Sequence, residues 1–336
     1  MTGLTRRKLL GSSLAIAGIG AFHAAKAAPE HRLRWSVGFP ATHPMVVRAR
    51  QAAERIASET QGTVELQVYS DSQLGNDASV MSQVRSGAID MQNIGGEVLS
   101  TLVPRAGMYA MGFSFPDYDT VWRAMDGDLG AYLRGEIGKS GLFVMESIWN
   151  NGFRQITSKD REIKTAEDLA GFKLRVPGSP VYITLFEALG AAPTAINWAD
   201  LYPALQTGIV DGQENPLVVI QSGRLFEVQG RCSLTNHMWA GTWCIANQRR
   251  MDSLPDDVRQ IVVRNVNQAA SLERSDTMNG EAEIRKQLEA EGMRFNTPDL
   301  ASFRERLNRG TYYASWKSRY GDEGWALLEK YCGKLG

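Results

Sequence analysis

An α/β protein made of two similarly built units is what this sequence predicts, and three observations carry the prediction. Segments with strand-like alternation are interleaved with segments of helical periodicity, the arrangement that yields parallel sheet. A short punctuation recurs 121 residues apart: Val84-Arg85-Ser86-Gly87-Ala88-Ile89-Asp90 is echoed by Leu205-Gln206-Thr207-Gly208-Ile209-Val210-Asp211. Each copy is a helix end closed by glycine, an apolar link and an aspartate entering a strand. Finally, Leu254-Pro255 opens a helical run to Ser275 that can continue through Gln287 to Glu289, a length suited to bridging two domains. With 336 residues, 43% hydrophobic and 22% charged, the chain can fill one or two cores and is too apolar to be disordered.

The first element is a targeting segment. Arg6, Arg7 and Lys8 precede an uncharged run from Leu9 to Phe22, and Ala25-Lys26-Ala27 reads as a small-x-small cleavage site. The run is too short for a stable membrane anchor. Residues 1–27 are therefore read as a signal peptide, which places the mature protein in the periplasm. Thr5-Arg6-Arg7-Lys8-Leu9-Leu10 also resembles the twin-arginine export signature, although paired arginines occur in ordinary signal peptides too.

Leu33 to Phe39 then reads as a strand, and Pro40 to Pro44 as a loop. Met45 to Thr60 reads as a helix that turns Ala49, Ala52, Ala53 and Ile56 inward. Val64, Leu66 and Val68 alternate with polar residues in a second strand, Asn76 to Arg85 is helical, and Ile89 to Ile94 is the next strand. Leu142 to Ile148 is an apolar run followed by Asn150-Asn151-Gly152-Phe153-Arg154-Gln155. Thr165 caps a helix holding Glu167 to Leu169, and Lys173 to Val176 is a strand stopped by Pro177. Gly212 to Pro216 is expected as a polar loop at a strand's end. Phe303 to Tyr320 is expected as a closing helix bearing Tyr312, Tyr313 and Trp316.

Several function classes drop out. Lys plus Arg and Asp plus Glu each number 37, and cleavage after Ala27 would remove four basic residues, leaving 33 against 37. No basic patch interleaves with aromatics, so nucleic acid is not an expected partner. Cys232, Cys244 and Cys332 have no metal-ligand spacing; Cys232 and Cys244 can pair in an oxidising compartment or remain buried thiols. No nucleophile elbow, dinucleotide or phosphate-binding glycine loop, or zinc-protease motif is found, so neither catalysis nor a cofactor is expected.

The residues that remain suit an organic anion. Arg154 and Arg175 lie where apolar strands are expected to exit, and a buried guanidinium fork can hold a carboxylate through two parallel bonds. The plainer alternative for each is a surface arginine or an ion-pair partner. Asn215 can contact the same carboxylate or serve only as a turn residue before Pro216. Glu97 can accept ligand hydroxyls or an amine, or cap the helix after Gly95-Gly96. His43, Asn150 and Asn151 offer polar contacts. Trp35, Trp198 and Trp239 offer flat walls, with core filling as the alternative for each tryptophan.

Taken together, Gln73-Leu74-Gly75, Gly87 to Met91, Glu167 to Pro177 and Val210 to Pro216 closely resemble the extracytoplasmic receptors of TRAP transporters, the DctP-like family. The resemblance runs in order through essentially the whole mature chain. It implies a two-lobed periplasmic binding protein with mixed or mainly parallel sheets, a ligand cleft between the lobes and long interlobe helices. One lobe would span about 28–152 plus 241–280, the other 153–240 plus 281–336. It implies Arg175 as the principal carboxylate clamp, Arg154 as a second arginine and Asn215 as their companion. The ligand would be a small organic acid, with a hydroxylated one such as a sugar acid suiting the polar candidates. The partners would be the small and large membrane subunits of a TRAP permease, and the protein a monomer. A periplasmic sensor for a membrane signalling partner, or less readily an enzyme, is the competing function.

Overall fold

A computed structural model describes residues 28–336; the signal peptide read at 1–27 lies outside the described residues. Eleven strands form one mixed sheet that continues through both lobes. They are β1 (His31–Val37), β2 (Val64–Tyr69), β3 (Met91–Gly95), β4 (Leu142–Val144), β5 (Trp149–Ser158), β6 (Lys173–Val176), β7 (Ala192–Ala195), β8 (Gly212–Pro216), β9 (Arg231–Ser233), β10 (Trp239–Asn247) and β11 (Arg294–Asn296). The main order is β2-β1-β3-β10-β5-β8-β6-β7.

Each lobe holds the same three-stranded parallel unit. In the first, β1 lies between β2 and β3; in the second, β6 lies between β7 and β8. The recurring punctuation marks the same joint in both. Gly87 and Gly208 adopt left-handed φ values of 84° and 73° after their helices, a conformation glycine reaches without steric cost. Asp90 and Asp211 then accept hydrogen bonds from the backbone N of Arg34 and Lys173, at 2.7 and 3.3 Å. Seven residues thus encode how the third strand of each unit is tied to the first.

Two long antiparallel strands join the units. β5 pairs with β10 through its first half and with β8 through its second. The β5–β10 register shifts between Ala240 and Gly241, leaving Asn151 without a cross-strand partner, and Gly152 beside it has φ 103°. This is a β-bulge, which re-aims the side chains that follow it.

The helix Asp256–Ala290 runs 35 residues, about 52 Å at 1.5 Å per residue. It packs along the helix Pro44–Glu59, where Arg48 forms two bonds to Asp276 and Arg55 reaches Asn265 at 3.0 Å. It also crosses β5, where Glu273 accepts from the backbone N of Asn150 at 2.9 Å, and meets the helix Leu217–Ser222 of the second unit.

Three expectations need correction. Gly212–Pro216 is not a loop: it is the wholly buried strand β8, hydrogen-bonded to β5 on one side and β6 on the other. Its polar side chains are tolerated because they pair with one another and with β5. Arg154 is not at a strand exit, since β5 runs unbroken from Trp149 to Ser158 and Arg154 sits in its middle. The closing helix expected over Phe303 to Tyr320 is two, Leu300–Arg309 and Tyr312–Tyr320, interrupted at Gly310, and a third, Asp322–Cys332, follows Gly321, whose φ is 80°. Tyr312, Tyr313 and Trp316 are buried, and the last helix packs on the helices Tyr118–Met125 and Asp128–Gly138. All three cysteines are free thiols.

Candidate functional site

A cavity of about 190 Å³ opens between the two parallel units. Its wall takes Asn93, Gly95 and Glu97 from β3 and the turn after it, Asp77 from the start of the helix Asp77–Ser86, and Asn151 and Arg154 from β5. Arg175 from β6, Tyr182, Trp198 and Asn215 complete it. Placing ligand groups at the carboxyl ends of parallel strands is the usual arrangement in open α/β sheets, and Arg175, third of four residues in β6, occupies such an end.

The two arginines differ in what they already hold. Arg154, 3% exposed, is gripped by Glu214: Nε donates to Oε2, and Nη2 donates to Oε1 at 2.8 Å, to the Glu214 carbonyl at 2.7 Å and to Asn215 Oδ1 at 3.1 Å. Its guanidinium also stacks 4.8 Å from the Tyr182 ring centroid. Burial by itself would push this group's pKa down, but the adjacent Glu214 carboxylate more than offsets that and holds it up. His237, fully buried, adds Nε2 at 3.1 Å from Glu214 Oε2. Glu214 stays ionised: burial opposes the charge, and Arg154 and His237 outweigh it.

Arg175 is just as buried, but its Nε donates to the Ile196 carbonyl at 2.8 Å and its two terminal nitrogens form no hydrogen bond among the described residues. Burial pulls it down to about 10, so it remains a cation at neutral pH. A charged fork held at one nitrogen and open at the other two matches the geometry of a carboxylate.

Asn215 faces the cavity with part of its amide already committed: Oδ1 to Arg154, and Nδ2 to Gln213 Oε1 at 2.5 Å. Glu97 is 1% exposed and fixed from behind, because its backbone carbonyl accepts the Ser179 hydroxyl at 2.6 Å from across the cleft. Its Oε1 has no hydrogen-bond partner among the described residues. Trp198 lines the cavity and meets Phe39 of the other lobe edge-on at 6.5 Å.

The other candidates stand outside the cavity wall. Asn150, beside Asn151 at the bulge, is not part of the cavity wall. Its Oδ1 accepts from Gly152 N at 3.0 Å and from Trp239 Nε1 at 2.9 Å. Trp239 lies among Tyr109, Phe115 and Trp122, while its neighbours Ala240 to Thr242 reach the cavity. Trp35 packs edge-on against Trp149 and holds Asn93 Oδ1 at 2.9 Å, so it supports a wall residue from behind. His43 caps the helix Pro44–Glu59 by accepting from Met45 N, and its ring stacks 4.5 Å from Phe39. Burial pushes its pKa down to about 3.

Glu214, His237, Tyr182 and Asp77 belong to the site and were not singled out from sequence. Glu214 left no readable signal, because Gly212–Pro216 reads as a loop in sequence; within a strand buried on both sides its carboxylate needs a cation, and the sheet register brings Arg154 to it.

Two lobes joined by crossing strands, with a buried charged fork facing an interlobe cavity, define a protein that encloses a small ligand. The chain belongs to the DctP family of bacterial extracellular solute-binding proteins, family 7, which it matches over residues 36–316. It is accordingly a periplasmic binding protein of the TRAP transporter class rather than an enzyme. It is 32% identical to the 2,3-diketo-L-gulonate-binding periplasmic protein YiaO of Escherichia coli over 262 residues, 78% of this chain and 79% of that one. Among solved structures it resembles a TRAP periplasmic solute-binding protein from a Polaromonas species bound to D-erythronate. That match has TM-score 0.85 and 29% identity, covering 90% of this chain and all of the other. A Sulfurospirillum deleyianum counterpart with bound succinate also has TM-score 0.85, at 25% identity, covering 90% of this chain and 99% of the other. Family membership carries with it the binding of small organic acids for delivery to a TRAP permease.

Proposed function

We propose that this protein captures a small hydroxylated carboxylate of the sugar-acid class and delivers it to the small and large membrane subunits of a TRAP permease. The observation that carries the reading is Arg175, a buried guanidinium with two open nitrogens on the wall of a cavity rich in hydrogen-bonding side chains. Arg175 is the clamp, Arg154 contributes its charge from within the Glu214 pair, and Asn151, Asn215 and Glu97 meet the polar tail. Relatives named for binding a diketo-sugar acid and D-erythronate support this class.

The lobes are assigned as 28–152 plus 241–280 and 153–240 plus 281–336, with the helix Asp322–Cys332 resting on the first lobe. A contact that exists only with the lobes together favours the closed form, so a ligand bridging Arg175 and the first lobe's polar residues draws the cleft shut.

The test is a thermal-shift screen of mature protein, refolded to strip captured ligand, against several hundred organic and sugar acids. Ligand binding to the folded state raises its stability by about 2.7 kcal/mol at a hundredfold excess over Kd. A strong shift with one class of hydroxy acid supports the reading; folded protein indifferent to every acid overturns it.

A further inference from the structure

The charges around the cavity are unevenly matched. Two arginines and two carboxylic acids line it: Arg154, Arg175, Asp77 and Glu97. Arg154 is already committed to Glu214, which lies just behind the wall. Of the two remaining acids, Asp77 stands near Arg175 and forms no side-chain hydrogen bond among the described residues, while Glu97 lines the cavity beside Tyr182 and the Arg154–Glu214 pair with no cation of its own. One carboxylate of a ligand therefore finds a cation with open donors, at Arg175. A second carboxylate placed in the same cavity finds none, and meets Glu97.

Resting on the acid-binding reading above, we propose that Glu97 is the specificity-determining residue that restricts this site to monocarboxylates whose far end carries hydroxyl groups, and so excludes dicarboxylates. An ionised carboxylate only accepts hydrogen bonds. Glu97 thus rewards a ligand hydroxyl, which donates to its carboxylate, and penalises a ligand carboxylate, which does not. Its backbone is held in place, since Ser179 and Ser100 both donate to its carbonyl, at 2.6 and 2.5 Å, and the residue is buried. The proposal separates this protein from a structural neighbour of the same fold that holds succinate.

The effect depends on pH in a direction that can be stated. Burial raises the Glu97 carboxyl to about 7, against the opposing pull of Arg154. The groups facing it are Arg154 of β5, Glu214 of β8, Tyr182, Tyr109 and Tyr320. Burial and neighbouring acids keep these three tyrosines neutral, and the Arg154–Glu214 pair stays ionised, so Glu97 is the group of this set that changes charge between pH 6 and 8; Asp77, beside Arg175 in the same cavity, is raised by burial to about 6 and takes up its proton below Glu97. Protonated Glu97 can donate to a second carboxylate, and discrimination relaxes as pH falls.

Calorimetry with chain-matched pairs tests this directly: erythronate against tartrate, and galactonate against galactarate, in which a terminal hydroxymethyl becomes a carboxylate. At pH 8 the aldonate should bind about a hundredfold more tightly than its diacid, the scale of one close like-charge contact at a partly screened site. The ratio should shrink at least tenfold at pH 6. In Glu97→Gln, an isosteric change checked for an unaltered melting profile, the ratio should be small and the same at both pH values. Glu97→Ala provides a second variant with no acceptor at all, and should bind the aldonate more weakly without regaining pH dependence.

A diacid bound as tightly as its aldonate at pH 8, or a Glu97→Gln ratio equal to that of the wild type, overturns the assignment while leaving acid binding intact. Preference for an amino-substituted acid over the aldonate also overturns it, since Glu97 would then be pairing with an ammonium. No binding by any acid overturns both this inference and the reading beneath it.

Discussion

The two buried arginines make opposite demands on any residue that replaces them. Arg175 points two unpaired nitrogens at the cavity, so its loss should be felt in binding and little in folding. Arg175→Ala is expected to weaken ligand affinity by about two orders of magnitude or more, because the ligand anion is left buried without its partner. Arg175→Lys should recover only part of this, since a point charge cannot copy the two-bond fork. Equal calorimetric affinities for wild type and Arg175→Ala would remove Arg175 from the site. Glu214 is the reverse case. Glu214→Ala strands the Arg154 guanidinium in a place water does not reach, and should cost about 3–5 kcal/mol of stability, measured by denaturant unfolding. A loss below about 1 kcal/mol would mean that the pair relaxes into solvent on mutation. Arg175 was legible in sequence because it stands near the end of an apolar strand; Arg154 was legible as a candidate, but its commitment to Glu214 was not, since that depends on the register between β5 and β8.

At the scale of elements, the β5–β8 pairing sets the site's precision. Gly212 begins β8, and a Cβ there would lie 2.1 Å from the Thr157 carbonyl of β5. Backbone cannot yield as a flexible side chain does, so Gly212→Ala must separate the two strands that align Glu214 with Arg154. A stability loss of about 1–3 kcal/mol is expected, together with weakened ligand binding. Gly171→Ala makes a useful contrast: nothing lies within 4 Å of its Cβ, and its penalty comes only from φ 65°. If both variants unfold at the same denaturant concentration with equal ligand affinity, the close approach at Gly212 has no functional weight. The bulge at Asn151 acts in the same way on direction. Without it, strict alternation would turn Asn151 and Arg154 to opposite faces; with it, both line the cavity.

Across the whole molecule, the helix Asp256–Ala290 is tied to the crossing strand β5 through a buried carboxyl. Glu273 accepts from Asn150 N at 2.9 Å and from the Thr277 hydroxyl at 2.6 Å, and burial pushes it up to about 8 from an ordinary 4.5. Because the folded form binds this proton more tightly than the unfolded chain, the contribution is fully present below the unfolded pKa and is lost as pH rises through the folded one. Glu97, raised to about 7, acts in the same direction. His43, lowered to about 3, acts in the other, its contribution fading as pH falls below 6.5 toward that value. Thermal melts should therefore show stability declining from about pH 5 to about pH 8, and Glu273→Gln should flatten the alkaline part of that profile. An unchanged slope in the variant would show that Glu273 does not titrate in this range.

What the sequence determined by itself was local and periodic. Alternating apolar residues specified β1 and β2, Gly87 and Gly208 ended helices where only an achiral residue turns cheaply, and the seven-residue echo announced a doubled unit whose strand orders β2-β1-β3 and β7-β6-β8 proved alike. The length of Asp256–Ala290 was readable because helical periodicity needs no long-range partner. Tertiary structure alone decided what depends on pairing across distance. A polar pentapeptide, Gly212 to Pro216, became a buried central strand because two neighbours satisfied its backbone and β5 neutralised its charge, an outcome its own composition argues against. Likewise only the assembled sheet sorted the candidates, leaving Arg175, Arg154, Asn215, Glu97, Asn151 and Trp198 around the cavity while turning Asn150, His43, Trp35 and Trp239 to support it from behind. Local propensity acts over a few bonds, whereas the direction of a side chain in a sheet depends on register, bulges and twist contributed by strands far apart in the chain.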